Sequence, residues 1–341
     1  MVLFKKIFKI TVKLILAVLA VIVALLIYFN IPVSSENKDA KLGVTFSKRY
    51  AEDIGLNWKE AYIAILDDLK VKKIRIPVYW DLTEPEEGRY NYDDIDWQLE
   101  EAGKRNAEII LVVGQKVPRW PECAIPGWAG TSDQKRKTAL LKFIDTTVER
   151  YKDNSEIKYW QIENEPFLPF GICPDFDVNL LDSELALVKS KNTGKPVMVT
   201  DSGELSLWVR AASRADVFGT TMYRTIYKKG LGYFDYPIGP RFFQFKAYFN
   251  KILAHQENNI VIELQGEPWI SGYTTEQPLD EQFKSMDAEK LRNNVSFARK
   301  AGFPEIYLWG AEWWYWLRIN QGYPELWNTA RDLFDSRQKM R

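Results

Sequence analysis

Residues 159–166 read YWQIENEP, a stretch in which a short strand pattern ends directly in a cluster of carboxylate and amide side chains. The run Tyr159–Ile162 is rich in aromatic and β-branched residues, which is typical of a buried strand. Such a strand ordinarily ends in a turn, whereas Glu163, Asn164 and Glu165 follow here at once. Polar groups gathered at the carboxyl end of a strand are typical of the functional face of a parallel α/β barrel.

The rest of the chain repeats this strand pattern. From residue 42 onward, short β-rich runs alternate with amphipathic stretches, which indicates βα units around a parallel sheet. The eight runs are Leu42–Phe46, Ile74–Val78, Ile109–Val113, Tyr159–Ile162, Val197–Thr200, Val217–Met222, Ile260–Leu264 and Ile306–Trp309. Asn57 followed by Glu60 resembles a capping box, and Gly194 before Pro196 predicts the end of another helix. Further helices are predicted at residues 93–105, 133–151, 241–255, 287–301 and 324–335.

Eight βα units in roughly 300 residues predict the α/β class and a single (β/α)8 TIM barrel over residues 41–341. The alternative is an open doubly wound sheet, which would need a glycine-rich first turn to bind a nucleotide. Residues 43–47, GVTFS, offer no such turn. In a barrel, the catalytic groups lie at the carboxyl ends of the strands.

Composition excludes several classes of function. Lys plus Arg equals Asp plus Glu, at 46 each, so no net charge attracts nucleic acid, and no nucleic-acid partner is predicted. The one histidine, His255, lies in a polar stretch typical of a loop. Because Ser-His-Asp and Cys-His catalysis and most zinc sites need a well-placed imidazole, these classes are excluded. We therefore predict no metal and no cofactor. The 13 Trp and 17 Tyr favour a sugar ligand, because their rings can stack on its apolar faces.

A second strand end carries acids as well. After the seventh run, residues 261–269 read VIELQGEPW and contain Glu263 and Glu267. Glycoside hydrolysis needs a pair of carboxyl groups, one to protonate the leaving oxygen and one to attack the anomeric carbon or activate water. Glu165 and one of the two acids on the seventh strand form such a pair across a barrel mouth.

The triplet Asn164-Glu165-Pro166 resembles the signature of glycoside hydrolase clan A, the retaining (β/α)8 enzymes that include family 5. Residues 161–165, QIENE, are similar to the strand-four segment of family 35 β-galactosidases, and residues 84–90, EPEEGRY, resemble the second-loop motif of families 35 and 42. The resemblance covers the barrel and not the N-terminal segment. It implies that Glu165 is the acid/base and that Asn164 hydrogen-bonds the substrate 2-hydroxyl.

The clan carries its nucleophile at the end of strand seven, where two acids compete for the role. Glu263 is preferred because it directly follows the run Ile260–Ile262, whereas Glu267 lies beyond Gly266 and is the alternative nucleophile or a substrate contact. The resemblance also implies supporting roles for Arg75 beside the nucleophile and for Tyr223 as its hydrogen-bond partner.

Further residues are expected at the strand ends and loops of the same face. Trp309 takes the place of the clan's stacking tryptophan, and the other predicted substrate-binding residues are Trp80, Trp120, Trp128, Trp269, Trp313 and Glu312. The acids and bases Glu122, Arg119, Lys116, Asp201 and Glu204 also fall on this face, as specificity residues or as loop ion pairs. Cys123 and Cys173 follow neighbouring strands, so a disulfide between them is predicted for a protein outside the cytoplasm.

The N-terminal segment predicts a membrane anchor. Residues 1–13 contain lysines at positions 5, 6, 9 and 13 and are predicted to be cytoplasmic. Residues 14–32 are predicted to be a single-pass transmembrane signal anchor, and residues 33–40 a polar tether to an extracytoplasmic barrel. A cleaved signal peptide is the alternative, although residues 27–32 make a poor cleavage site.

Together these features predict a membrane-anchored retaining glycosidase that acts on an extracellular or cell-surface oligo- or polysaccharide. One alternative is a carbohydrate-binding protein on a degenerate barrel, since a fold does not prove an activity. Another is a transglycosylase that assembles polysaccharide through the same covalent intermediate, with a sugar acceptor in place of water.

Overall fold

The computed structural model describes residues 2–335, in which eight parallel strands close into a barrel. Each strand pairs with the next one along the chain, and the eighth pairs with the first. The strands are β1 (Lys41–Thr45), β2 (Lys73–Pro77), β3 (Glu108–Val113), β4 (Ile157–Ile162), β5 (Val197–Asp201), β6 (Val217–Met222), β7 (Asn259–Gln265) and β8 (Glu305–Trp309). The predicted (β/α)8 barrel is therefore confirmed, and each predicted run falls on one of these strands.

Helices alternate with the strands and, apart from the N-terminal helix, surround the barrel. In chain order they are α1 (Val2–Asn30), α2 (Lys48–Asp53), α3 (Trp58–Asp67), α4 (Trp80–Thr83), α5 (Asp93–Lys104), α6 (Asp133–Tyr151), α7 (Val178–Ser190), α8 (Val209–Ala212), α9 (Pro240–Leu253), α10 (Leu279–Phe283), α11 (Ala288–Ala301), α12 (Ala311–Asn320) and α13 (Glu325–Asp335). A short 3-10 helix covers Thr274–Glu276, and an antiparallel hairpin of Thr225–Lys228 and Gly232–Asp235 follows β6.

The capping signals in the sequence predict the start of α3 correctly but not the end of α7. Asn57 caps α3 as expected, because its side chain accepts hydrogen bonds from the backbone N–H groups of Lys59 and Glu60. The helix predicted to end near Gly194 is α7, and it ends earlier, at Ser190. Residues 191–196 form the turn that leads into β5.

The barrel interior is filled by side chains. A buried cluster of strand residues, Ile110, Met198, Val217, Ile260, Ile262 and Tyr307, packs separately from the larger apolar core of the domain. Gly43 on β1 makes room for Tyr307, since a Cβ at position 43 would lie 2.8 Å from the tyrosine ring. Large side chains therefore pack close to the backbone there, and the barrel is a packed core rather than a pore.

The N-terminal helix extends away from the barrel. Within α1, Lys6–Asn30 contains an 18-residue window with a mean hydropathy of 3.0 and is long and apolar enough to cross a membrane. The segment that follows is held against α11 and the loop after it: Glu36 accepts a hydrogen bond from Ser296, and Asn37 donates to the backbone oxygens of Arg299 and Phe303. The division into cytoplasmic, anchor, tether and catalytic parts stays a prediction.

Candidate active site

Arg75 links the strands at the carboxyl end of the barrel and is completely buried. It lies on β2, and its guanidinium donates three hydrogen bonds. Nε donates to Gln161 at 2.8 Å, Nη2 to Asn164 at 2.6 Å and Nη1 to Glu263 at 2.6 Å. Because a buried charge must be paired and hydrogen-bonded, this side chain fixes the ends of β4 and β7 relative to each other.

Glu263 is held through both of its carboxylate oxygens. One accepts the hydrogen bond from Arg75, and the other accepts from the Tyr223 hydroxyl at 3.1 Å. The pairing register of β7 against β6 shifts between Val261 and Glu263. Irregularities of this kind re-aim a side chain beside an active site. The two residues predicted to support the nucleophile thus both contact Glu263.

Glu165 enters the same mouth from the end of β4. Its backbone adopts a left-handed φ of +43°, and its N–H donates to Thr200 at 2.9 Å. Its Oε1 accepts from the Thr221 hydroxyl at 3.1 Å. Burial raises the pKa of the Glu165 carboxyl well above its usual range, and the charges of Glu263 and Glu122 raise that pKa further. The protonated acid is therefore favoured at this position.

Glu163 has a structural task in the same motif. Its carboxylate accepts hydrogen bonds from the backbone N–H groups of Gln115 at 2.8 Å and Lys116 at 2.7 Å. The Asn164 N–H in turn donates to the Lys116 carbonyl at 2.7 Å. Burial raises the pKa of Glu163 to about 7. The loop after β3 is thereby tied to the loop that carries Glu165.

Glu122 adds a third buried carboxyl group to the mouth. It accepts a hydrogen bond from the Asn164 side-chain amide at 3.3 Å. Burial and the charge of Glu263 raise the pKa of Glu122 to about 8. Gly171 packs directly on it, because a Cβ at that position would lie 2.5 Å from the Glu122 Cβ. Of the further polar residues expected on this face, Glu122 is the one that joins the Arg75 network.

Glu267 belongs to a separate cluster on the same face. It accepts hydrogen bonds from Arg119 and from the Trp309 indole N–H, the latter at 2.7 Å. Arg119 stacks over the Trp309 ring at 4.0 Å and donates to Glu312 at 3.2 Å. Glu312 also accepts from the Ser47 N–H at 2.6 Å, and burial raises its pKa. Within residues 2–335, the second oxygen of Glu267 has no hydrogen-bond partner.

Two of the predicted substrate-binding tryptophans lie in the core instead. Trp80 is fully buried, stacks on Phe143 and donates to Glu84 at 2.8 Å. Trp313 is fully buried as well, and its indole donates to Gln282 at 2.7 Å. Both follow a barrel strand in sequence, but the short helices α4 and α12 turn them inward. The expectation that they line a cleft is wrong.

The other tryptophans are more accessible. Trp120 is 54% exposed, and Trp269 is half-buried against the Tyr223 ring, with centroids 5.0 Å apart. Trp128 is half-buried too, and its indole donates to the Glu84 carbonyl, so it fastens the second loop. Trp269 is therefore connected to the carboxylates through Tyr223, whereas Trp120 lies further out.

A disulfide joins Cys123 to Cys173, with their Cα atoms 5.3 Å apart. The bridge connects the loop after β3 to the loop after β4. Beside it, the Phe170 ring lies 6.3 Å from Trp120 and 6.4 Å from Trp269 between centroids. The two bridged loops and the loop after β7 thus form one aromatic rim.

Several residues of the site were not singled out from the sequence. Gln161, Thr200 and Thr221 lie within buried strands and form hydrogen bonds to Arg75 or Glu165. Glu204, by contrast, is one of the residues expected on this face, and it accepts from the Tyr223 N–H at 2.9 Å and so fixes the start of the loop after β6. The available signal was a polar residue inside an otherwise apolar strand. Among the described residues, no group of three or more His, Cys, Asp or Glu side chains could hold a metal ion.

Solved structures that superpose on this chain include several glycoside hydrolases. The β-galactosidase of Halorubrum lacusprofundi superposes with a TM-score of 0.60 at 14% identity, over 86% of this chain and 57% of that enzyme. Xylanase 10B of Thermotoga petrophila gives a TM-score of 0.56 at 15% identity, over 88% of this chain and 95% of the xylanase. The β-galactosidase of Rahnella sp. R3 gives 0.57 at 11% identity, over 89% and 56%. The chain therefore has the fold of clan A glycoside hydrolases.

Sequence comparison reaches a shorter part of the chain. The β-galactosidase LacZ of Lactobacillus acidophilus is 28% identical in an alignment 104 positions long that covers 25% of this chain and 16% of that enzyme. The β-galactosidase LacA of the same species is 29% identical over an alignment of the same length. The chain thus spans a small part of these relatives, and no family model matches it.

Proposed function

We propose that this protein is a retaining glycosidase in which Glu263 is the nucleophile and Glu165 the acid/base. The observation that carries the proposal is the contrast between the two carboxyl groups. Glu263 receives two hydrogen bonds, one of them from a buried arginine, whereas Glu165 is buried beside two other acids. One group is thus prepared to attack as a carboxylate and the other to donate a proton.

The reaction follows from these roles. Glu165 gives its proton to the leaving glycosidic oxygen while a carboxylate oxygen of Glu263 bonds to the anomeric carbon and the glycosidic bond breaks. Glu165, now ionised, takes a proton from water, whose oxygen attacks the anomeric carbon and releases Glu263. The Asn164 side chain lies between Arg75 and Glu122 and is offered to the 2-hydroxyl of the sugar.

The substrate we propose is an oligo- or polysaccharide outside the cytoplasm. The rim of Trp120, Phe170 and Trp269 suits several sugar rings, because aromatic faces stack on sugars. The β-galactosidase relatives make β-galactosides the first members of the panel to test. The membrane anchor is part of the proposal, with α1 spanning the bilayer and the barrel outside.

Azide rescue with assignment of the product anomer tests the two roles. Glu165→Ala with azide should yield a glycosyl azide that retains the substrate configuration, because the covalent intermediate still forms. Glu263→Ala with azide should yield the inverted product. The opposite pairing of variant and configuration, or rescue of Glu267→Ala in place of Glu263→Ala, would overturn the assignment.

The other two functions considered from the sequence are separated by product analysis. Turnover of a glycan panel with and without an acceptor sugar distinguishes hydrolysis from transfer, and binding without turnover would identify a carbohydrate-binding protein. Mass spectrometry of the mature N-terminus tests the anchor, which a start near residue 35 would contradict.

A further inference from the structure

One face of α9 carries a continuous stripe of apolar side chains. Phe242, Phe245, Phe249 and Ile252 follow one another at intervals of three or four residues, which places them on one side of the helix. The Phe245 and Phe249 rings are in contact, with centroids 4.7 Å apart. The adjacent face of α9 packs on the barrel through buried residues, Phe243 among them.

One end of the stripe is covered by the last turn of α1. The Phe29 ring lies 5.2 Å from Phe242 and 5.5 Å from Phe245, and Phe29 is buried. Two hydrogen bonds add to this contact between α1 and the barrel domain. The Asn30 side chain donates to the Pro237 carbonyl at 3.0 Å, and Arg241 donates to the Ile31 carbonyl at 3.1 Å. The barrel is therefore attached directly to the end of α1 and not only through a tether.

The other end of the stripe is bare. Phe249 is 39% exposed, Ile252 49% and Leu253 57%, and the neighbouring Tyr248 is exposed too. The earlier turns of α1 do not cover them, since none of the apolar window of α1 is buried. The exposed side chains of α9 and the exposed length of α1 meet where Phe29 packs on α9. A continuous exposed apolar surface is typical of an interaction site.

We infer that the exposed end of the α9 stripe lies in the interfacial layer of the membrane that α1 crosses. The inference rests on the anchor proposed above. The stripe is continuous with α1, and this identifies the membrane as what covers its exposed end. If α1 spans the bilayer, its last turn is at the bilayer surface, and α9 packs against that turn. Tyr248 and Phe249 suit this layer, where aromatic residues concentrate.

The contact determines how the barrel sits on the membrane. As part of the helical ring, α9 lies along the wall of the barrel and not across its mouth. Contact through α9 therefore places the wall on the bilayer, so that the site formed by Glu165 and Glu263 opens along the membrane surface. Glycans close to the bilayer are then within reach of the mouth.

Site-specific fluorescence quenching by spin-labelled lipids tests this arrangement in the full-length protein in phosphatidylcholine vesicles. Cys123 and Cys173 are paired, so a single introduced cysteine can be labelled. The positions are Ile252 on α9, Val18 on α1 and, as control, Leu82 on α4. Leu82 is 46% exposed, similar to Ile252, and follows β2, which lies opposite β6 in the closed barrel. Activity on a soluble glycoside verifies that each labelled variant is folded.

We expect nitroxide near the headgroups to reduce the fluorescence at Ile252→Cys, nitroxide deep in the acyl chains to reduce it at Val18→Cys, and neither to affect Leu82→Cys. Quenching at Val18 without quenching at Ile252 would overturn the inference and leave the anchor intact. Absence of quenching at Val18 would overturn the anchor itself. Cross-linking of two Ile252→Cys chains without quenching would show that a second copy covers the stripe, which also overturns the inference.

Discussion

The ends of β4 and β7 each place a glutamate in the mouth of the barrel, and the two glutamates have opposite surroundings. Glu263 on β7 is bound by a buried guanidinium and a phenol. Glu165 after β4 receives one hydroxyl hydrogen bond and faces the charges of Glu263 and Glu122. Since identical carboxyl groups differ here only in their neighbours, the proposed assignment of nucleophile and acid/base depends on Arg75, Tyr223 and Glu122 as much as on the two acids.

The largest effect is expected when the β7 carboxylate is removed. Glu263→Gln keeps the shape of the side chain but cannot form the covalent intermediate, so kcat should fall on the order of 10⁴-fold or more. The matched control is Glu267→Gln, which removes an acid from the neighbouring cluster and should keep most of the turnover. Full activity of Glu263→Gln together with loss in Glu267→Gln would transfer the role to Glu267.

Removal of the β4 acid should have an effect that depends on the substrate. Glu165→Gln deprives the leaving oxygen of its proton donor, which costs roughly 10²- to 10⁴-fold in kcat/KM for a natural glycoside. For an aryl glycoside with an acidic phenol as leaving group, the loss in the first step should be much smaller. Equal losses for both substrates, measured by steady-state kinetics, would argue against a proton-donating role.

A smaller loss is expected when one of the two donors to Glu263 is deleted. Tyr223→Phe removes the hydroxyl but keeps the ring that packs on Trp269, so kcat should fall about 10- to 100-fold with little change in melting temperature. Arg75 still holds the other oxygen in this variant. An equal loss of stability and activity would indicate a packing role for Tyr223 instead.

The smallest effect is a change in pH dependence. Glu122 raises the pKa of Glu165 when it is ionised, and its own pKa is about 8. Glu122→Gln removes the charge that Glu122 carries above about pH 8, so in that range the pKa of Glu165 should fall and the basic limb of the kcat/KM profile should move to lower pH. Glu87→Gln, in the exposed second loop, is the control and should leave the profile unchanged. A basic limb that moves to higher pH would contradict the assignment.

The sequence predicts the strands better than the site because strands depend on local pattern. The β-rich runs and the helix signals repeat along the chain, so the barrel and the position of Glu165 could be predicted before the structure. The register shift that aims Glu263 into the mouth arises between β6 and β7, and no local pattern encodes it.

The tryptophans show that the position of a residue near a strand end in sequence does not by itself predict the direction of its side chain. Trp80 and Trp309 both stand close to a strand end in sequence, yet Trp80 turns into the core against Phe143 while Trp309 contacts Glu267. One turn of helix after β2 makes the difference, and its direction depends on tertiary packing. Thr200 and Thr221 were missed for a related reason, since a buried threonine is ordinary in a β-strand.

The disulfide between Cys123 and Cys173 closes a covalent ring that contains the whole of β4 and the loop that carries Glu165. Such a bond persists in an oxidising compartment and not in the reducing cytoplasm. With the barrel outside the cytoplasm, as proposed above, a newly made chain lacks this bond until both loops have crossed the membrane. On the proposed topology, closure of the loop that carries Glu165 is linked to delivery, and a chain held back on the cytoplasmic side lacks the bond that joins the loops after β3 and β4.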